Sequence, residues 1–193
     1  MKCIVCENYS FTHICSKCQT TFFTPAIYKR KLSLGVDVIS FYKYEEIKEL
    51  LFTKHTDIGF YIYNILADLS FKKFAEEFHT KEKYVSIGVD DNIRSGYSHT
   101  AILNNALKTY NIKPLFNKLK AKNDISYSGK TREFRMLNPR NFGVKNFKQK
   151  DVIVVDDIVT TGATLTQAIQ ALMQQNKTVP FCLTLTDVSN KTF

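Results

Sequence analysis

At 193 residues with 44% hydrophobic side chains, the chain is long enough for one main globular domain with a real core. No apolar run approaches the ~20 residues a membrane-spanning helix requires, and the polar, cysteine-containing start does not read as a secretory leader, so a cytoplasmic protein is expected. The formal net charge of +9 is concentrated: residues 101–150 hold 12 Lys/Arg against 2 Asp/Glu, while the rest of the chain is close to neutral. Such a block suits a polyanion (nucleic acid, a phosphorylated ligand or anionic lipid) as well as it suits a solvated lysine-rich surface.

The chain opens with Cys3, Cys6, Cys15 and Cys18, spaced C-x2-C-x8-C-x2-C. Two CxxC turns aim paired sulfurs at one point, the arrangement that holds a tetrahedral Zn²⁺. Two disulfides are the alternative, but they need an oxidising compartment. Four protein ligands leave no open position, so the zinc is structural. His13 lies inside the loop and is read as a surface or supporting residue, although it could replace one cysteine. Tyr9, Phe11, Phe22, Phe23 and Tyr28 surround the cysteines and run into Lys29, Arg30 and Lys31. Such residues can stack bases and grip phosphates, but core packing is the expected use of most of them. Residues 1–24 are thus taken as a zinc-binding module and 25–193 as the main domain.

Further along, Val36 to Phe41 predicts a strand and Tyr44 to Lys54 a helix, with Ile47, Leu50 and Leu51 on one face. A second helix is expected from about Tyr61 to Phe78. Tyr84 to Val89 predicts a strand ending at Asp90-Asp91-Asn92. Ser98 to about Tyr110 suits a helix capped by Ser98, with Ala101, Ile102, Asn105, Ala106 and Leu107 inward. Residues 118–150 show no sustained period, as expected of a functional or mobile segment. Asp151 to Val155, Leu165 to Met173 and Val179 to Thr186 predict strand, helix and strand, a parallel crossover. Cys182 falls in the last of these and reads as core. The fold class is α/β with a largely parallel sheet.

The most informative stretch runs from Val152 through Asp156-Asp157 to Thr160-Thr161-Gly162-Ala163-Thr164. A buried strand meets two carboxylates, then a small-residue turn, then a helix, and open α/β sheets bind ligands at the carboxyl ends of their strands. The turn supplies hydroxyls, backbone amides and the positive end of a helix for a phosphate, and Gly162 permits its close approach. The carboxylates suit adjacent sugar hydroxyls. An acidic strand end with a Thr cap accounts for Thr164 but not for the whole pattern, and no Walker A loop is present.

This stretch resembles the phosphoribosyl-pyrophosphate (PRPP) signature of type I phosphoribosyltransferases. The resemblance implies a mostly parallel sheet flanked by helices, Asp156 and Asp157 on the ribose, and Thr160, Thr161, Gly162, Ala163 and Thr164 on the 5-phosphate. It also implies Mg²⁺ bound with PRPP, since a hard cation is held largely by the ligand's own oxygens. With the four-cysteine start and the helical run from Tyr42, the chain is similar to the ComF/ComFC competence family. That likeness implies a cytoplasmic role, with a peripheral place at the inner membrane, in DNA uptake during natural transformation. Single-stranded DNA and other uptake proteins are the implied partners. Arg94 to His99 and Arg135, Asn138 and Phe142 match two further family elements. The departures are Ser95 in place of Arg, Ser98-His99 in place of Asn-Gln, and Asp90-Asp91 in the pyrophosphate loop. The alternative is a metabolic phosphoribosyltransferase joining a base or amine to ribose 5-phosphate, with Lys130, Arg132 and Arg135 in a closing lid; no catalytic residue is named. A glutamine-fed amidotransferase is excluded, because Cys3 is better used by zinc than as a nucleophile.

Overall fold

A computed structural model describes residues 1–89, 96–123, 134 and 140–188. Asp90, Asp91, Arg94, Ser95, Lys130, Arg132, Arg135 and Asn138 lie outside the described residues. Among the described residues, six strands form the main sheet: β1 (Tyr28–Lys31), β2 (Asp37–Lys43), β3 (Tyr84–Gly88), β4 (Ile112–Leu115), β7 (Val152–Val159) and β8 (Phe181–Asp187). Their order is β1-β2-β8-β7-β3-β4, with every pairing parallel except β1 with β2. Two short strands, β5 (Leu119–Ala121) and β6 (Phe142–Val144), pair antiparallel beside it. The expected α/β architecture is present.

Helices cover both faces. One carries α2 (Tyr44–Leu51), α3 (Asp57–Ala67), α4 (Lys73–Glu77) and α5 (His99–Ala106), preceded in the chain by α1 (Ser16–Phe22); the other carries α6 (Ala163–Met173). The strand β7 shows why two layers are needed. Its alternate residues divide between two cores, with Ile153 and Val155 on the α2–α5 side and Val152 and Val154 on the α6 side. On α3, Ile62, Tyr63 and Leu66 are fully buried, each contributing about 1.5–3 kcal/mol relative to exposure.

Several boundaries differ from the sequence reading. Helix α3 begins at Asp57, earlier than expected; its first turn holds Gly59, a poor helix former, at a point where a Cβ would collide with the Thr53 carbonyl and the Tyr97 hydroxyl. The long second helix is interrupted by a π turn at Asp68–Lys72, where the Ser70 hydroxyl donates to the Leu66 carbonyl at 2.6 Å. At α5 the expected Leu107 is buried and Ile102 and Ala106 pack against the core, but Asn105 is exposed, and Thr100, Leu103 and Asn104 are buried as well. Ser98 does cap α5, its hydroxyl accepting from the Ala101 amide at 3.1 Å. Phe23 alone of the five N-terminal aromatics is buried; Tyr28 is half-buried, and Tyr9, Phe11 and Phe22 face solvent. Among the described residues no helix is long and apolar enough to cross a membrane.

Candidate functional site

The site is built at the carboxyl end of β7. The strand continues through both acids to Val159 instead of ending before them, so Asp156 and Asp157 are strand residues, 8% and 7% exposed. Alternation then sends them to opposite faces. Asp157 points to the α2–α5 side, where its Oδ2 receives Lys54 Nζ at 3.3 Å and lies 3.4 Å from both the Tyr63 hydroxyl and His99 Nε2. All three contacts fall on one oxygen. The Asp157 amide donates to Asp156 Oδ1 at 2.9 Å, tying the two acids together.

The partners of Asp157 come from separate elements. Lys54 sits on a 3₁₀ turn, Phe52–His55, that extends α2. The Tyr97 hydroxyl donates to the Lys54 carbonyl at 2.7 Å and fixes that turn. His99 is the first residue of α5 and Tyr63 lies in the middle of α3. Burial raises the carboxyl pKa of Asp157, but His99 and Lys54 outweigh it and hold the group well below the usual carboxylate range. Burial and the nearby Asp157 charge push the Tyr63 phenol far up, so it stays a neutral donor.

The turn after β7 follows. Thr160 is half-buried and Thr161 exposed, and the Thr161 hydroxyl accepts from the Ala163 amide at 3.3 Å. Gly162 has φ +80°, a conformation that strains other residues. A Cβ there would also sit 2.5 Å from Leu32 Cδ2 and 3.4 Å from Arg30 Nη2. Two separate requirements therefore make this position glycine. Ala163 and Thr164 open α6, whose first amides have no partner within the helix. The turn is thus a helix N-terminus lined by hydroxyls, suited to a phosphate. Arg30, which the sequence reading placed only among basic residues beside the aromatics, adds a guanidinium at its edge.

The four N-terminal cysteines form the second candidate site. Their sulfurs lie within 4.8 Å of one another, with Cys6 and Cys15 3.8 Å apart. A tetrahedral zinc with ~2.3 Å Zn–S bonds needs sulfur–sulfur edges of about 3.8 Å by the same geometry, so the cage fits that ion. Burial opposes ionisation of the Cys3 thiol, but amide donors from Cys15, Cys6 and Val5 prevail and bring it down to about 6. Burial and the adjacent sulfurs push Cys18 up to about 12. The opposite shifts fall on sulfurs packed closely enough to share one metal ion. His13 does not join them; its ring stacks on Tyr61 at 4.4 Å. Cys182, by contrast, is a plain core residue whose thiol burial pushes up.

No protein-family model matches the sequence, and no curated protein matches it. Among solved structures, a hypoxanthine phosphoribosyltransferase from Staphylococcus aureus is similar at 16% identity and TM-score 0.39, over 65% of this chain and 62% of that one. An orotate phosphoribosyltransferase from Aeropyrum pernix matches at 20% identity and TM-score 0.40, over 89% of this chain and 80% of that one. UMP synthase from Leishmania donovani matches at 14% identity and TM-score 0.38, over 85% of this chain and 29% of that one. Likenesses this distant assign no activity.

Proposed function

We propose that the chain is a PRPP-binding, phosphoribosyltransferase-like protein that handles single-stranded DNA on the cytoplasmic side during DNA uptake in natural transformation. The observation that carries the PRPP reading is the continuity of two buried carboxylates, Asp156 and Asp157, with the Thr160–Thr164 turn at the start of α6. Carboxylates suit ribose hydroxyls, and the turn suits the 5-phosphate. Asp157 Oδ2 is held by Lys54, His99 and Tyr63, so in this reading Oδ1 is the oxygen that meets the sugar. When bound with PRPP, Mg²⁺ neutralises pyrophosphate charge. The four cysteines hold a structural Zn²⁺ within a module of residues 1–24.

Support for the nucleic-acid part comes from the basic segment. Lys120, Lys122, Lys145, Lys148 and Lys150 are exposed on and after the β5–β6 pair, a surface that suits repeated phosphates. Lys118 differs, because its ammonium donates to the Asn146 carbonyl at 2.9 Å.

Fluorescence anisotropy with an oligo-dT ligand, with and without PRPP and Mg²⁺, tests this reading. Affinity is expected to fall steeply with salt, and Lys120→Glu with Lys122→Glu should flatten the log–log slope by about 0.7 per lost phosphate contact. Negligible binding at ~0.15 M salt, together with rapid pyrophosphate release in the presence of one base, would instead favour a metabolic transferase.

A further inference from the structure

Arg30 is an unusual cation for a strand at the edge of a sheet. It lies on β1 in register with Val38, and its side chain is 17% exposed. Nη1 contacts Asp187 Oδ1 at 3.4 Å, at the carboxyl end of β8. Nε and Nη2 are buried and have no hydrogen-bond partner among the described residues. Buried donors are rarely left unmatched without a missing ligand, ion or water, and a guanidinium presents its donors as a fork shaped for carboxylate or phosphate. Nη2 lies against Gly162, 3.4 Å from where its Cβ would stand, at the turn that opens α6.

We propose that Arg30 is a phosphate-binding residue, whose unmatched Nε and Nη2 neutralise a terminal phosphate monoester seated on the Thr160–Thr164 turn. This rests on the PRPP-site reading and adds the cation that the turn itself lacks. Backbone amides and threonine hydroxyls carry no full charge, whereas a phosphate monoester carries nearly two negative charges at neutral pH. A charge-assisted pair is roughly twice as strong as a neutral hydrogen bond. The geometry favours a monoester over a phosphodiester, because Gly162 and Nη2 are both buried and a continuing chain needs exits on both sides. Leu32, just past the end of β1, packs against Gly162 and keeps this edge of the sheet against the turn.

The test is calorimetric titration of the full-length protein with ribose 5-phosphate and, separately, with a short oligo-dT lacking terminal phosphates. Wild type, Arg30→Gln and Arg30→Lys are compared. Arg30→Gln is expected to weaken ribose 5-phosphate at least about tenfold, and Arg30→Lys to recover part of that loss. Wild-type affinity should also fall as the monoester takes up its second proton near pH ~6, with a flatter profile in Arg30→Gln. A purely structural Arg30 would alter melting temperature without changing this pH profile. Equal affinities and profiles in wild type and Arg30→Gln would overturn the proposal. So would a loss confined to the oligonucleotide. If wild type fails to bind ribose 5-phosphate at all, the reading of the site as a PRPP site fails first, and the role of Arg30 falls with it. Should Arg30→Gln fold poorly, Arg30→Lys carries the comparison, because it keeps a charge for Asp187 but lacks the fork: unchanged affinity and pH profile in that variant would count against the proposal.

Discussion

Asp157→Ala is expected to lower stability by about 2–4 kcal/mol, because it removes a buried carboxylate from the Lys54 ammonium and the other groups placed to meet it. Lys54, His99 and Tyr63 all converge on Asp157 Oδ2. Lys54 remains 29% exposed in its side chain, so water relieves part of the cost. The pH dependence has a definite sign. The folded-state pKa of Asp157 is depressed, so its contribution is present above the unfolded value of about 4 and is lost as pH falls through the folded value. Urea denaturation across an acid pH series should therefore show a steep acid limb in wild type and a flatter one in Asp157→Ala. Equal stability of the two proteins at neutral pH would mean that the convergence contributes nothing.

The four-cysteine site carries the second large expected effect. Purified protein should contain close to one zinc per chain, and Cys18→Ser should lose it, because a module this small has no core of its own without its ion. The damage is expected to spread beyond the cysteine loops. Cys3, Ile14, Cys18 and Phe23 belong to the same buried cluster as Phe41, Tyr42 and Ile62. The Tyr42 hydroxyl donates to the Phe23 carbonyl at 2.9 Å. Chelation should thus lower the melting temperature of the whole protein as well as fray its first residues. Acidification should weaken metal binding, since the cysteines must shed protons to bind. Less than about a tenth of a zinc per chain in fresh reduced protein would sink the metal assignment, given that coupling of metal to folding.

The parts of this fold that were legible in the sequence are those whose chemistry is local. The apolar run Val152–Val155, the Ser98 cap and the amphipathic α2 each declare themselves within a few residues. Strand β1 did not, because Tyr28-Lys29-Arg30-Lys31 alternates half-buried and exposed positions without an apolar face. Strand β4 hides behind Pro114, which is tolerated because β4 is the edge of the sheet. Strands β5 and β6, three residues each, are too short to show a period. At the site, Asp156, Asp157 and the threonine turn could be read directly. Lys54, Tyr63, His99 and Arg30 could not be assigned to it, because they reach it from four different elements and only the fold brings them together. The alternation that separates the two acids was hidden for a related reason. It depends on β7 continuing to Val159, and paired aspartates after an apolar run ordinarily read as a strand's end.

That separation also decides which variant probes the ligand cleanly. Asp157 supports the fold, so its loss confounds binding with stability. Asp156, on the α6 side, is the better probe. Calorimetric titration with PRPP and Mg²⁺ should give saturable, one-site binding to wild type. The isosteric Asp156→Asn should lose at least about tenfold in affinity, with little change in the melting temperature of the unliganded protein. Binding of equal strength to both proteins, or no binding to wild type, would contradict a PRPP site at the end of β7.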